Sequence, residues 1–192
     1  MNKYHFVTVT CVASLFLGSN ALANHNNAIK ADLSKFDFIK QDAVTVERIS
    51  SFELSMPPEK ALPLFTAPGE ILWAPGWNPN ILSGDGFEKG TAWLTQHGNI
   101  TTYWHVSKYD IENKQAIYTM ITPDETMGTV SVAISSNDKG GSVVSVTYKL
   151  TGLSKAGNKK LTTHYSKTHY PKMIAQWKSW IESNMDKINA HH

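Results

Sequence analysis

Hydrophobic positions change their period along this chain, and each change marks an element. Residues 44–55 are rich in β-branched and aromatic side chains and read as a strand. Met56, Pro57 and Pro58 stop it. Proline is well tolerated in a first helical turn and Glu59 suits a helix N-terminus, so Ala61, Leu62, Leu64 and Phe65 become the apolar side of a short helix. From Ile81 to Leu153 the pattern is strand, turn, strand. Gly84, Gly86 and Gly90 punctuate the first of these strands. Residues 91–97 and 100–109 flank Gly98 and Asn99, a two-residue turn with glycine first, which suits a type II′ hairpin. That turn sets His97 opposite Ile100, Thr95 opposite Thr102 and Trp93 opposite Trp104. Strands over 115–122, 127–135 and 142–153 follow. In the last of them Val144, Val146, Tyr148 and Leu150 alternate with Ser145, Thr147 and Lys149, the mark of one buried and one wet face.

The period then lengthens. Tyr170, Met173, Ile174, Trp177, Ile181, Met185 and Ile188 recur at three or four, the stripe of an amphipathic helix. Taken over 165–187 it is one long rod of about 34 Å, with Pro171 as the place where it kinks or begins. No helix separates the strands, so the sheet is an antiparallel meander and not a parallel βαβ array. The fold class is α+β, with a curved antiparallel sheet of about six or seven strands wrapped around the C-terminal helix. A curved sheet and a straight helix do not mate fully, and such a wrap commonly leaves a cavity between them.

One stretch keeps no period. Between Pro68 and Pro79 lie Trp73 and Trp77, framed by Gly69, Pro75 and Gly76. Proline fixes φ and glycine permits positive φ, so this is a shaped loop. A shaped loop carrying large aromatics is either bolted to a core or lining a pocket.

Composition narrows the setting. Lys3, the apolar run from Phe6 to Leu17 and the small residues Ala21, Leu22 and Ala23 read as a secretory signal over residues 1–23, cleaved after Ala23. The apolar run is too short to span a bilayer comfortably. The single cysteine, Cys11, falls inside it, so the mature chain is expected to carry no disulfide and no thiol nucleophile. Residues 24–43 read as an N-terminal arm, polar at first and then bearing Phe36, Phe38 and Ile39. Residues 44–188 form the domain and 189–192 a short tail. With 18 basic and 16 acidic residues, and no run of like charge, a broad nucleic-acid surface is not expected. A periplasmic or secreted protein, monomeric or weakly dimeric and without a membrane-spanning segment after cleavage, is the expectation.

The order of elements resembles the helix-grip fold of the START, polyketide cyclase and birch-pollen-allergen superfamily, known as SRPBCC, and within it an exported bacterial branch. The residues carrying the resemblance are Phe65-Thr66 with Pro68-Gly69-Glu70, Trp73-Ala74-Pro75-Gly76-Trp77, Trp104-His105-Val106 before Tyr109-Asp110, and Tyr148-Lys149-Leu150-Thr151, with the terminal helix around Met173 and Trp177. It covers residues 44–188. The resemblance implies an apolar cavity for a lipid, a polyketide or another small hydrophobic molecule. Some members are cyclases, hydrolases or aromatase-like enzymes and many only bind. No catalytic set is shared across them, so none is assigned to this chain.

The candidate ligand-binding residues are Trp73, Trp77, Trp93, Trp104, Tyr148, Glu70 and Trp177. Trp73 and Trp77 wall the cavity or plug the end of the sheet. Glu70 is an acid in its mouth, caps a backbone turn or pairs with a lysine. Trp93 and Trp104 share a face with Thr95, Thr102 and Val106; this face carries more apolar area than that of Leu94, Tyr103 and His105, and it is expected to point inward. For Tyr118 and Met120, opposite Ile117 and Ile121, either face can be inward. His164 and His169 are not spaced as a helical zinc pair, and no metal site is expected. No nucleophile elbow, dinucleotide fingerprint or phosphate-binding loop occurs, so no cofactor is expected. Three functions remain open: a binding protein for a small hydrophobic ligand, an enzyme of cyclase, isomerase or hydrolase type using polar cavity groups, and a non-enzymatic envelope interaction module.

Overall fold

A computed structural model describes residues 41–191. The signal expected over residues 1–23, Cys11 within it, and the arm up to residue 40 lie outside the described residues. Seven strands form one antiparallel sheet: β1 (Thr45–Leu54), β2 (Asn80–Ser83), β3 (Ala92–His97), β4 (Ile100–Asp110), β5 (Gln115–Thr122), β6 (Thr126–Ser136) and β7 (Ser142–Gly152). Their order across the sheet is β1-β7-β6-β5-β4-β3-β2. β2 to β7 are therefore a pure meander, and β1 returns to pair with β7.

The β3–β4 hairpin has the register that its turn demands. His97 faces Ile100, Thr95 faces Thr102 and Trp93 faces Trp104. Gly98 takes φ of +59° while Asn99 stays out of the left-handed region, as a type II′ turn requires. The tryptophan pair stacks, with ring centroids 5.9 Å apart and planes 5° from parallel. Trp93, Thr95 and Val106 are buried and Trp104 is half-buried, whereas Tyr103 and His105 are exposed. Alternation then slips by one at Ser107, where the pairing with β5 skips a residue. This bulge returns Tyr109 to the inner face and adds curvature. On β5 the open question of facing resolves: Ala116, Tyr118 and Met120 are buried, and Ile121 is exposed.

The helices depart from the expected single rod. α1 (Pro58–Ala61) runs on as a 3-10 turn over Leu62–Phe65, and a second 3-10 turn covers Gly69–Leu72 within the tryptophan loop. α2 (Lys155–Thr163) is a helix that the hydrophobic period does not predict. α3 spans Tyr170–Ser183, not 165–187, and α4 is a separate short helix, Met185–Asn189. Proline explains the late start. Pro171 has no N–H to donate, so it occupies the first turn of α3, and residues 164–169 make a corner instead. At the other end Asn184 leaves helical geometry with φ of −114°, and its Nδ2 donates to the Trp180 carbonyl at 2.8 Å. α2 escaped the periodicity test because only Gly157 and Leu161 are buried on it. Its one legible signal was Ser154, the N-cap, whose Oγ accepts from Gly157 N at 3.0 Å.

Side chains that satisfy backbone groups tie α2 and α3 to the sheet and its turns. Tyr170 Oη donates to the Val146 carbonyl at 2.8 Å, pinning the start of α3, and Arg48 Nε donates to the Tyr165 carbonyl at 2.8 Å. Ile174, Ile181 and Ile188 carry the buried side of α3 and α4. α2 sits against the β5–β6 turn: Leu153 N donates to the Glu125 carbonyl at 2.8 Å, Ser154 Oγ to the Asp124 carbonyl at 2.6 Å, and Lys160 pairs with the Glu125 carboxylate. Gly157 permits this approach, since a Cβ there would lie 1.7 Å from the Glu125 carbonyl oxygen.

Gly157→Ala must push α2 off that turn. The expected cost is about 1–3 kcal/mol, the range for overpacking a fitted site, seen as a fall of several degrees in the thermal midpoint followed by circular dichroism. An unchanged midpoint would show that α2 is free to shift.

Candidate functional site

The tryptophan loop gains its shape from its own small residues. Thr66 Oγ1 donates to the Pro63 carbonyl at 2.7 Å and accepts from Gly69 N at 3.1 Å. Gly69 is needed for this closure, because a Cβ on it would lie 1.9 Å from the Pro63 carbonyl oxygen. The chain then folds on itself through Ala74 N to the Glu70 carbonyl at 2.8 Å, and Gly76 turns it with φ of +71°. Two long-reach bonds fix the aromatics. Trp73 Nε1 donates to the Leu64 carbonyl at 2.7 Å and Trp77 Nε1 to the Ala67 carbonyl at 2.8 Å. Lys187 Nζ, from α4, reaches the Ile71 carbonyl at 2.8 Å.

The loop, the inner face of the sheet and α3 enclose a cavity of about 320 Å³. All seven residues singled out from the sequence line it: Trp73, Trp77, Trp93, Trp104, Tyr148, Glu70 and Trp177. The loop's two possible roles, anchor and wall, are thus not alternatives. Each indole N–H is spent on backbone while the ring faces the cavity. Trp180, missing from the expected set, lines it too, so all six tryptophans of the chain meet at one space. Trp180 lies three residues beyond Trp177 and seven beyond Met173, so the helical stripe already contained the signal. Phe65, Tyr118 and Tyr165 are the other lining aromatics outside the expected set.

Two aromatic chains make the walls. In one, Trp77 meets Trp104 edge-on at 5.8 Å, Trp104 stacks on Trp93, and Trp93 meets Tyr118 at 5.7 Å. In the other, Phe65 contacts Trp73 at 5.9 Å, Trp73 contacts Trp177 at 5.6 Å, and Tyr148 contacts Trp177 at 6.4 Å. Most polar tips in these walls are already satisfied within the protein. Trp104 Nε1 donates to Thr95 Oγ1 at 3.0 Å and Tyr118 Oη to the Phe65 carbonyl at 2.6 Å. The exposed Pro75 and His97 border the cavity and mark its rim.

Glu70 differs from its surroundings. It is half-buried, and its carboxyl makes neither ion pair nor hydrogen bond among the described residues, although it lines the cavity. Desolvation by the aromatic walls raises its pKa from 4.5 to about 8. Tyr148 is buried without a hydrogen bond to its hydroxyl among the described residues, and burial first, then the Tyr165 phenol and the Glu70 charge, push its pKa well up. Among the described residues Trp93 Nε1 is also buried without a partner. Lys160 lines the cavity but is committed to Glu125. Among the described residues no group of three or more histidine, cysteine, aspartate or glutamate side chains is placed to hold a metal, and no helix is long and apolar enough to cross a membrane.

No protein-family model matches the chain, and no curated protein matches it in sequence. Solved structures do match in shape. Ara h 8.0201 is 17% identical, with a TM-score of 0.56 over 74% of this chain and 99% of its own. Norcoclaurine synthase from Thalictrum flavum, in complex with dopamine and hydroxybenzaldehyde, is 15% identical, with a TM-score of 0.53 over 78% of this chain and 89% of its own. The major latex-like protein 151 of Panax ginseng is 15% identical, with a TM-score of 0.51 over 77% and 97%. The likeness is one of fold. A seven-stranded curved antiparallel sheet closed by C-terminal helices gives this chain the helix-grip fold that these structures share.

Proposed function

We propose that this chain is an exported binding protein that holds a small hydrophobic molecule in the cavity between its sheet and α3. The observation that carries this reading is the meeting of all six tryptophans at one space of about 320 Å³. Such a volume is at the lower end of the range for small-molecule pockets. Three of the indoles have donated their N–H to protein oxygens, so the surface they turn to the cavity is apolar. Water gains little there, and an apolar guest gains about 25 cal/mol for each Å² it buries. The norcoclaurine synthase structure, which shares the fold, holds the small aromatic molecules dopamine and hydroxybenzaldehyde. Lys3, the apolar run after it and Ala21 to Ala23 support an extracytoplasmic setting for the binding.

Catalysis is the second reading, and Glu70 is its specific support, since a carboxyl with a pKa of about 8 is poised for acid–base work. That reading needs a second polar group converging on the first. Tyr118 has given its hydroxyl hydrogen to the Phe65 carbonyl, and Glu70 is hydrogen-bonded to none of the phenols. Binding is therefore the better supported of the two. The interaction-module reading called for a filled interior, and the cavity speaks against it.

Two measurements test these statements. Titration of the purified protein with octanol should change tryptophan fluorescence saturably, and Val130→Phe, which adds a ring to the cavity wall, should weaken that response about tenfold while leaving the far-ultraviolet circular dichroism intact. No saturable response, together with no co-purifying molecule in native mass spectrometry, would sink the proposal. The second concerns pH. Because the folded protein holds the Glu70 proton more tightly than the unfolded chain does, its contribution to stability is complete below pH 4.5 and is lost as pH rises through about 8. Glu70→Gln cannot ionise, so relative to it the native protein should lose on the order of 3 kcal/mol between those limits, read from urea unfolding at about pH 5 and about pH 8.5. Parallel pH profiles for the two proteins would contradict the desolvation of Glu70.

A further inference from the structure

Glu70 is a carboxyl in the wall of a cavity whose other walls are mostly indole and phenol rings. The titratable and charged groups that share the cavity with it come from every side: Tyr118 on β5, Tyr148 on β7, Tyr165 at the α2–α3 corner, His97 on β3 and Lys160 on α2. None of them neutralises it. Lys160 is paired with Glu125, Tyr118 donates its hydroxyl to the Phe65 carbonyl, and no ion pair to Glu70 exists among the described residues. A buried carboxyl is costly when ionised and uncompensated, and it is better tolerated when a countercharge sits beside it. Indole faces carry negative potential and attract cations, more strongly when water is excluded. The unpaired carboxyl and the tryptophan walls are thus complementary to the same chemistry.

We infer that the ligand of this cavity carries a cationic nitrogen, a hydrophobic amine or quaternary ammonium, seated against the tryptophan faces with Glu70 as its counter-ion. The inference deepens the cavity-binding reading and rests on it. In the empty protein Glu70 holds a proton at neutral pH, which keeps an uncompensated charge out of the cavity. An arriving ammonium makes the carboxylate favourable, and the Glu70 proton leaves to solvent. Binding of the cation is therefore coupled to release of close to one proton at about pH 7, and affinity for it rises as pH approaches 8. A carboxylate ligand is repelled in the same conditions, and a neutral one gains only apolar burial.

The test uses the whole protein and three probes with the same chain: octylammonium, octanol and octanoate. Octylammonium should bind more tightly than octanol by on the order of tenfold, with octanoate weakest, in tryptophan-fluorescence titrations at low salt. In Glu70→Gln the ratio of octylammonium to octanol affinity should collapse to about one. Calorimetry of the native protein in two buffers of different ionisation enthalpy should show proton release with octylammonium and none with octanol, a result that does not depend on the variant folding. Saturable octanol binding without an octylammonium preference, a preference that survives Glu70→Gln, or cation binding without proton release would overturn this inference and leave the cavity reading standing. Failure of all three probes to bind would overturn both.

Discussion

Two hydrogen bonds, from Trp73 Nε1 to the Leu64 carbonyl and from Trp77 Nε1 to the Ala67 carbonyl, hold the site together. They join the tryptophan loop to the 3-10 turn that precedes it, and that turn is itself buried through Leu62, Leu64 and Phe65. Each bond satisfies a backbone carbonyl that has no strand or helix partner, and each consumes the single polar atom of an indole. What remains of the side chain is a large apolar face with one direction open to it. The loop can therefore be rigid and hydrophobic at once, which a loop of ordinary polar composition cannot be.

The sheet supplies the opposite wall by a different device. β3 and β4 are locked in register by a glycine-first turn, so Trp93 and Trp104 stack across the strands and present one continuous aromatic surface. The bulge at Ser107 bends β4 and lets Tyr109 rejoin the inner face. α3 closes the third side, but as a straight rod against a curved sheet it cannot fill the concavity. Trp177 and Trp180 reach across part of the gap and the remainder is the cavity. Within such walls a carboxyl stays neutral unless a cation joins it, which is why Glu70 stands apart from the many surface acids of the chain.

Most of the scaffold was readable from residue patterns because its determinants are local. The type II′ turn at Gly98 and Asn99 dictated the hairpin pairs, alternation along β7 dictated its buried face, and the absence of helix between strands dictated the meander. The misses have separate physical origins. α2 has a thin apolar side and is held by contacts with the distant turn at Asp124 and Glu125, so its own residues announce little beyond the N-cap Ser154. The rod expected over 165–187 was broken by Pro171 and Asn184. The stripe continues across both breaks, since helical periodicity survives when consecutive helices lie against the same core. Tyr118 and Met120 could not be oriented from β5 alone, because both of its faces carry apolar side chains.

The sequence by itself determined the order of the strands, the strand pairing of the hairpin, the inward face of Trp93 and Trp104, and a glycine- and proline-framed loop bearing two tryptophans. These follow from backbone preferences and periodicities acting over a few residues. Only the tertiary structure decided that Trp73 and Trp77 are anchor and wall together, that six tryptophans from loop, sheet and helix share one cavity, and that Glu70 lies there without a partner among the described residues. Those properties depend on surfaces brought together from distant parts of the chain, and on the desolvation that arises only once they have closed.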